Sequence, residues 1–177
     1  MSKSKKNGLI DQIDHFKKVS LFHELNVQQI KTLIDIMQME RFEAGSFIMR
    51  EKESGSRLYI LLKGEVEISK SLILPQWVQA SQKSEKALIR LSHKHYPFFG
   101  EMSMFDDNAK REASIKATAP CEMVSLDKGD LYKILQKNPE TGRIIYKNIA
   151  GELVKRLRKA NQDILKLTTA FTLALEG

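Results

Sequence analysis

From Glu40 to Leu126 the chain is cut into short β-prone runs by glycines and polar turn clusters, and that spacing limits the folds open to it. Arg41-Phe42-Glu43 runs into Ala44-Gly45, Phe47-Ile48-Met49 follows, and Glu53-Ser54-Gly55-Ser56 is a turn cluster. Residues 57–62 form an almost unbroken apolar run of the kind a doubly buried strand carries. Lys63-Gly64 turns it, and Glu65-Val66-Glu67-Ile68-Ser69 then alternates as a half-buried strand does. Residues 87–91, 113–119 and 122–126 read as further strands. Many short strands at this spacing predict a sandwich or a barrel.

Helical signals lie on either side of the strands. Asn26-Val27-Gln28-Gln29 combines an N-cap with the reciprocal capping-box position, and Val27, Ile30, Leu33, Ile34 and Met37 recur at helical spacing. Residues 130–136 read as a short helix. Asn138-Pro139-Glu140 then sets a cap, an N1 proline and a first-turn acid in order, opening a helix expected to reach about Thr169. Leu153, Leu157, Ala160, Ile164, Leu167, Phe171 and Ala174 are spaced 4, 3, 4, 3, 4, 3, a heptad seam. Its first turns are expected to lie on the barrel. Beyond Leu157 it outruns a small barrel, so a parallel helix pair in a homodimer is predicted. The organisation expected is a basic N-terminal tail or helix (1–19), a β-barrel with flanking helices (20–137) and a long C-terminal dimerisation helix (138–177). Residues 71–90, with Trp77, read as a long hairpin or loop insertion, the tryptophan packing back on the barrel.

Composition narrows the class. A chain of 177 residues suits one domain with a real core. Its single cysteine, Cys121, excludes a disulfide within the chain and fits a reducing cytoplasm. No apolar run approaches the roughly 20 residues of a membrane helix. The basic start, residues 1–8, is not followed by a secretory apolar stretch and reads as a disordered polar tail. The net charge of +7 is dispersed, with clusters at 3–6 and 155–159 that read as solvated tail and solvated helix face.

Chemistry concentrates in residues 99–114, Phe-Gly-Glu-Met-Ser-Met-Phe-Asp-Asp-Asn-Ala-Lys-Arg-Glu-Ala-Ser. Gly100 lets the backbone approach a ligand closely. The following residues have the composition of a helical turn, whose first N–H groups favour an anion. Arg111 offers a permanently charged planar fork that matches phosphate oxygens. Glu101, acceptor-only, suits a ribose hydroxyl. Together these describe a pocket for a small, singly charged phosphodiester on a sugar. Taken alone, Arg111 would read as a surface arginine pairing with Asp106 or Asp107, and Glu101 as a solvated acid.

This segment resembles the phosphate-binding cassette of the cyclic nucleotide-binding domain family, of the catabolite activator and protein kinase A regulatory-subunit type. Phe99-Gly100-Glu101-Met102 is similar to the family's Phe-Gly-Glu-Leu, Arg111-Glu112-Ala113-Ser114 falls where the family has its arginine followed by a small residue and Ala, and Gly64-Glu65-Val66 is similar to its Lys-Gly-x-Val hairpin. Residues 117–122, Ala-Thr-Ala-Pro-Cys-Glu, resemble a stretch of the bacterial catabolite activators. The resemblance runs from about Leu21 to Asp163. It implies a mainly β fold with flanking α elements, an eight-stranded jelly-roll barrel plus a long C-terminal helix. It implies a stand-alone, non-enzymatic regulatory module for cAMP or cGMP, with no metal and no other cofactor. The phosphate would sit between Gly100, Glu101, Met102, Ser103 and Arg111, with Glu112 and Ala113 beside it, and the base would meet the last helix near Ala160 and Asn161. The catabolite activators continue from that helix into a helix-turn-helix domain. None follows Gly177 here, so direct DNA recognition is not expected and signalling through a partner is.

Glu112 departs from the family, which places Ser, Thr or Ala after the arginine. A carboxylate about 5 Å from a phosphate costs roughly 3 kcal/mol at an effective dielectric near 20, about two powers of ten in affinity. It can swing outward, accept from a guanine amino group, or mark a pocket that has lost its ligand. Three alternatives stand beside the favoured reading. One is a ligand-free scaffold. Another is a DNA-linked regulator using Lys155, Arg156, Arg158 and Lys159. The third, a metal cupin on His93, His95 and Glu101, is disfavoured because five residues separate His95 from Glu101 and no later histidine follows. Cys121 after Pro120 reads as buried structure.

Overall fold

The computed structural model describes residues 9–10, 12–71, 85–105 and 110–176. The expectations for the tail at 1–8, for Trp77 and for Asp106 and Asp107 lie outside these residues, as does most of the expected 71–90 insertion.

Two four-stranded antiparallel sheets face each other. One has the order β1 (Gln38–Phe42), β8 (Cys121–Asp127), β3 (Arg57–Lys63), β6 (Phe98–Phe99). The other has the order β2 (Phe47–Met49), β7 (Ser114–Ala117), β4 (Glu65–Ser71), β5 (Glu85–Ser92). Sequence neighbours β3 and β4 lie in different sheets, as a jelly roll requires. The short strand β6 carries no alternation that would announce it; it forms because Phe98 and Phe99 pair with Ile60 and Tyr59.

The apolar run of β3 is explained by its place between two cores. Leu58, Ile60 and Leu62 face a cluster with the helices, whereas Tyr59 and Leu61 face the barrel interior with Met49, Val66, Phe99, Ile115 and Met123. Each such side chain contributes about 1.5–3 kcal/mol on burial, so a strand buried on both faces cannot alternate.

Among the described residues, α1 (Ile13–Lys18), α2 (Val27–Ile34), α3 (Lys128–Lys137) and the first turns of α4 (Pro139–Glu176) cover the outer face of the first sheet. The capping box of α2 forms as its sequence predicts. Asn26 Oδ1 accepts from the Gln29 N–H at 2.9 Å, and Gln29 Oε1 accepts from the Asn26 N–H at 2.8 Å. Helix α3 begins two residues earlier than expected because Asp127, at the end of β8, caps it by accepting from the Gly129 N–H. Helix α4 starts at the proline and runs beyond Thr169 to Glu176. Ile144, Ile145 and Ile149 bury its first turns, Gln29 Nε2 donates to Thr141 Oγ1, and Asn148 Nδ2 donates to the Leu21 and His23 carbonyls. From Val154 onward the residues of the helix are exposed, Leu157, Ile164, Leu167 and Phe171 among them. No helix among the described residues is long and apolar enough to cross a membrane.

Candidate functional site

The chain places Gly100 at the end of β6, immediately before a 3₁₀ turn, Glu101–Met104. A 3₁₀ turn of four residues has no macrodipole to speak of. It offers local N–H groups in place of the helix terminus expected from sequence. Gly100 has φ +83°, and a Cβ there would stand 2.8 Å from the Arg57 carbonyl oxygen and 2.9 Å from Arg111 Nη1. Glycine is required by this packing of the chain on itself as well as by the left-handed backbone.

Arg111 is held from two sides. Its backbone exchanges hydrogen bonds of 2.8 Å with Glu53 and Lys52, which ties the residue to the turn between β2 and β3. Its Nη1 donates to Ser103 Oγ at 2.9 Å and to the Gly100 carbonyl at 3.4 Å, while Ser103 Oγ donates to that same carbonyl at 2.8 Å. A Cβ on Gly55 would lie 2.5 Å from Arg111 Nε, so the bare backbone there makes room for the guanidinium. In the sequence Gly55 is marked only as a turn residue, because nothing local reveals which side chain arrives from 56 positions away. Arg111 is only 7% exposed. Burial pulls its pKa down from the usual value, with Tyr59 and Glu101 acting against the shift. Among the described residues no carboxylate comes within ion-pair distance of it. A buried guanidinium whose described partners are a hydroxyl and a carbonyl is suited to take up an anion such as a phosphate.

Glu101 is 2% exposed. Its Oε1 accepts from Arg156 Nη1 of α4 at 2.6 Å, and its Oε2 is buried with no hydrogen-bond partner. Arg156 also donates to the Phe98 carbonyl at 3.0 Å and lies over the Phe98 ring. The sequence marks Arg156 only as part of a basic helix face; its meeting with Glu101 depends on how α4 docks. Along that helix runs a cavity of about 500 Å³, with Ile68, Ile89, Leu91 and Phe99 on the barrel side and Arg156 and Lys159 among the residues on the helix side.

Met102 is exposed, Ser103 is buried and Ala113 is half-buried. Glu112 is exposed, with its carboxylate 3.5 Å from Lys70 Nζ. Asn161 is exposed and not among the residues lining the cavity, which meets α4 at Glu152, Lys155, Arg156 and Lys159. His93 and His95 sit on a 3₁₀ turn, His93 Nδ1 lying 3.1 Å from the Gly64 carbonyl oxygen. No group of three potential metal ligands occurs among the described residues. Cys121 is buried, its Sγ 3.2 Å from the Glu65 and Ala119 carbonyl oxygens, and burial pushes its thiol pKa up.

The family model for the cyclic nucleotide-binding domain matches residues 39–138. A cGMP-dependent protein kinase of Caenorhabditis briggsae is 28% identical over 124 residues, 70% of this chain and 15% of that one. Among solved structures, the Thermus thermophilus catabolite activator protein superposes with a TM-score of 0.69 at 26% identity, over 84% of this chain and 63% of that one. A cyclic nucleotide-binding domain from Methylobacillus flagellatus superposes with a TM-score of 0.73 at 24% identity, covering 89% and 83% of the two chains. The chain spans no more than 32% of the length of the first three curated relatives it matches.

Proposed function

The chain belongs to the cyclic nucleotide-binding domain family, and we propose that it is a regulatory module that binds cAMP or cGMP and signals through its last helix. The observation that carries this reading is Arg111: a guanidinium that the fold buries beside Gly100 and the Glu101–Met104 turn without giving it a carboxylate among the described residues. The cyclic phosphate supplies an anionic partner for this guanidinium. Glu101 Oε2, buried and unpartnered, accepts from the ribose hydroxyl. The C. briggsae relative is named for cGMP, which supports the ligand class.

Arg156 joins this pocket to α4, so ligand binding beside Glu101 changes what holds the helix. The seam from Leu153 to Ala174, exposed from Leu157 onward, pairs with the same helix of a second copy. Occupancy is thereby read at a dimer interface by a downstream protein in the cytoplasm, without catalysis. A ligand-free scaffold is the second reading. It is favoured by Arg156, which already occupies one oxygen of Glu101, and by the carboxylate of Glu112 next to Arg111.

Titration calorimetry with cAMP and cGMP on wild type and Arg111→Ala tests the proposal. Micromolar or tighter binding of either nucleotide, lost in the variant, is expected. Undiminished binding by Arg111→Ala would place the ligand elsewhere, and no binding by wild type would leave the scaffold.

A further inference from the structure

We propose that the pocket selects a 6-oxopurine base, and that Lys159 is the residue that reads it. This rests on the cyclic nucleotide reading and adds the identity of the base. A nucleotide with its phosphate at Arg111 and its sugar at Glu101 meets the cavity of about 500 Å³ next, because Arg156 touches Glu101 and also lines that cavity. On the barrel side the cavity is apolar, with Ile68, Ile89 and Leu91, and suits the flat face of a purine. The edge of the base is left to face α4.

The charged groups on that helix wall are not equally free. Arg156 is committed to Glu101 and to the Phe98 carbonyl. The carboxylate of Glu152 is taken by Arg156 Nε at 3.4 Å and by Lys155 Nζ at 3.9 Å. Lys159 lines the cavity and makes no hydrogen bond or ion pair among the described residues. Its ammonium has three donors and no acceptor. Guanine and hypoxanthine present two adjacent acceptors, O6 and N7, which a donor-only group satisfies. Adenine presents N7 beside an N6 amino donor, which Lys159 cannot accept from. Ser20, His95 and Tyr96 also line the cavity, and none of them is a carboxylate. Glu112, the other candidate reader of guanine, is turned to Lys70 and concerns the 2-amino group instead.

Hypoxanthine separates the two edges, since it has O6 and N7 but no 2-amino group. Calorimetry at low salt with cGMP, cIMP and cAMP on wild type, Lys159→Ala and Lys159→Gln is the test, with thermal melts checking that each exposed-site variant stays folded. The expected result is cGMP and cIMP binding about tenfold or more tighter than cAMP, the scale of one good base-edge contact. Lys159→Ala should remove that advantage and leave cAMP within about twofold. Lys159→Gln, which both donates and accepts, should move the preference toward cAMP. Equal binding of cAMP and cGMP by wild type overturns the proposal. So does tight cGMP with weak cIMP, which assigns the reading to the 2-amino group, and so does an equal loss of all three nucleotides in Lys159→Ala, which makes the lysine a general attractor of phosphate. Failure of all three to bind wild type would remove the cyclic nucleotide reading itself.

Discussion

Arg156 Nη1 lies 2.6 Å from Glu101 Oε1, joining a helix that is mostly outside the barrel to a carboxylate that is almost wholly inside it. The two residues are 55 positions apart, and the Arg156 side chain is 43% exposed against 2% for Glu101. The arginine therefore neutralises a buried charge while keeping contact with solvent.

Removing that arginine should destabilise the fold. Arg156→Ala leaves Glu101 buried without its counter-charge, and the expected loss is roughly 1–3 kcal/mol, less than for a fully buried pair because water screens the arginine. Urea unfolding measures it, and Glu101→Gln in the same background should recover part of it. Unfolding midpoints identical for wild type and Arg156→Ala would show that the contact carries no energy.

Gly55 should prove functional without being structural. A Cβ there presses on the far end of the Arg111 side chain, which can shift, and meets no backbone among its three nearest atoms. Gly55→Ala is expected to leave the melting temperature within a few degrees and to weaken nucleotide binding about tenfold, because the guanidinium moves off the phosphate position. Arg111→Ala should cost more, roughly 2–5 kcal/mol of binding. Glu101→Ala should cost about 1.5–3 kcal/mol, the range for hydrogen bonds to a charged group. A Gly55→Ala protein that binds like wild type would separate Arg111 from the ligand.

Glu112 is expected to hinder binding, by less than its position in the sequence suggests. With its carboxylate exposed and against Lys70, repulsion of the phosphate is partly neutralised. Glu112→Ser should tighten cAMP and cGMP together at low salt, by about tenfold or less. Selective loss of cGMP would show that the carboxylate accepts from the guanine amino group.

The exposed seam of α4 predicts a dimer. Wild type should elute at twice the single-chain mass of 20.3 kDa, and Leu157→Asp with Ile164→Asp should give a folded monomer. A wild-type mass of 20.3 kDa by light scattering would remove the interface.

His15 gives a pH dependence. Burial lowers its pKa below the ordinary 6.5, and its Nε2 is buried without a partner, against the edge of Tyr96. The folded state thus favours neutral imidazole. Its contribution is fully present above pH 6.5 and is lost as the pH falls below that value, since the unfolded chain takes up the proton first. Thermal melts from pH 7.5 to about 5 should fall more steeply for wild type than for His15→Gln. Parallel slopes would exclude the histidine as the cause.

The sequence by itself determined the local features. The capping box at Asn26 and Gln29 and the start of α4 at Pro139 follow from interactions within a few residues, and the residues that make them are close in the chain. The order of glycine turns and the Gly100-Glu101 and Arg111 signals also named the family. Tertiary structure alone decided what these residues meet. That Arg156 reaches Glu101, that Gly55 leaves space for Arg111, and that Lys159 rather than Asn161 borders the cavity all depend on the angle and register at which α4 and the β2–β3 turn dock. Those are set by burial of Ile144, Ile145 and Ile149 and by pairing between distant strands, energies that are non-local and leave no periodic mark around the residues they bring together.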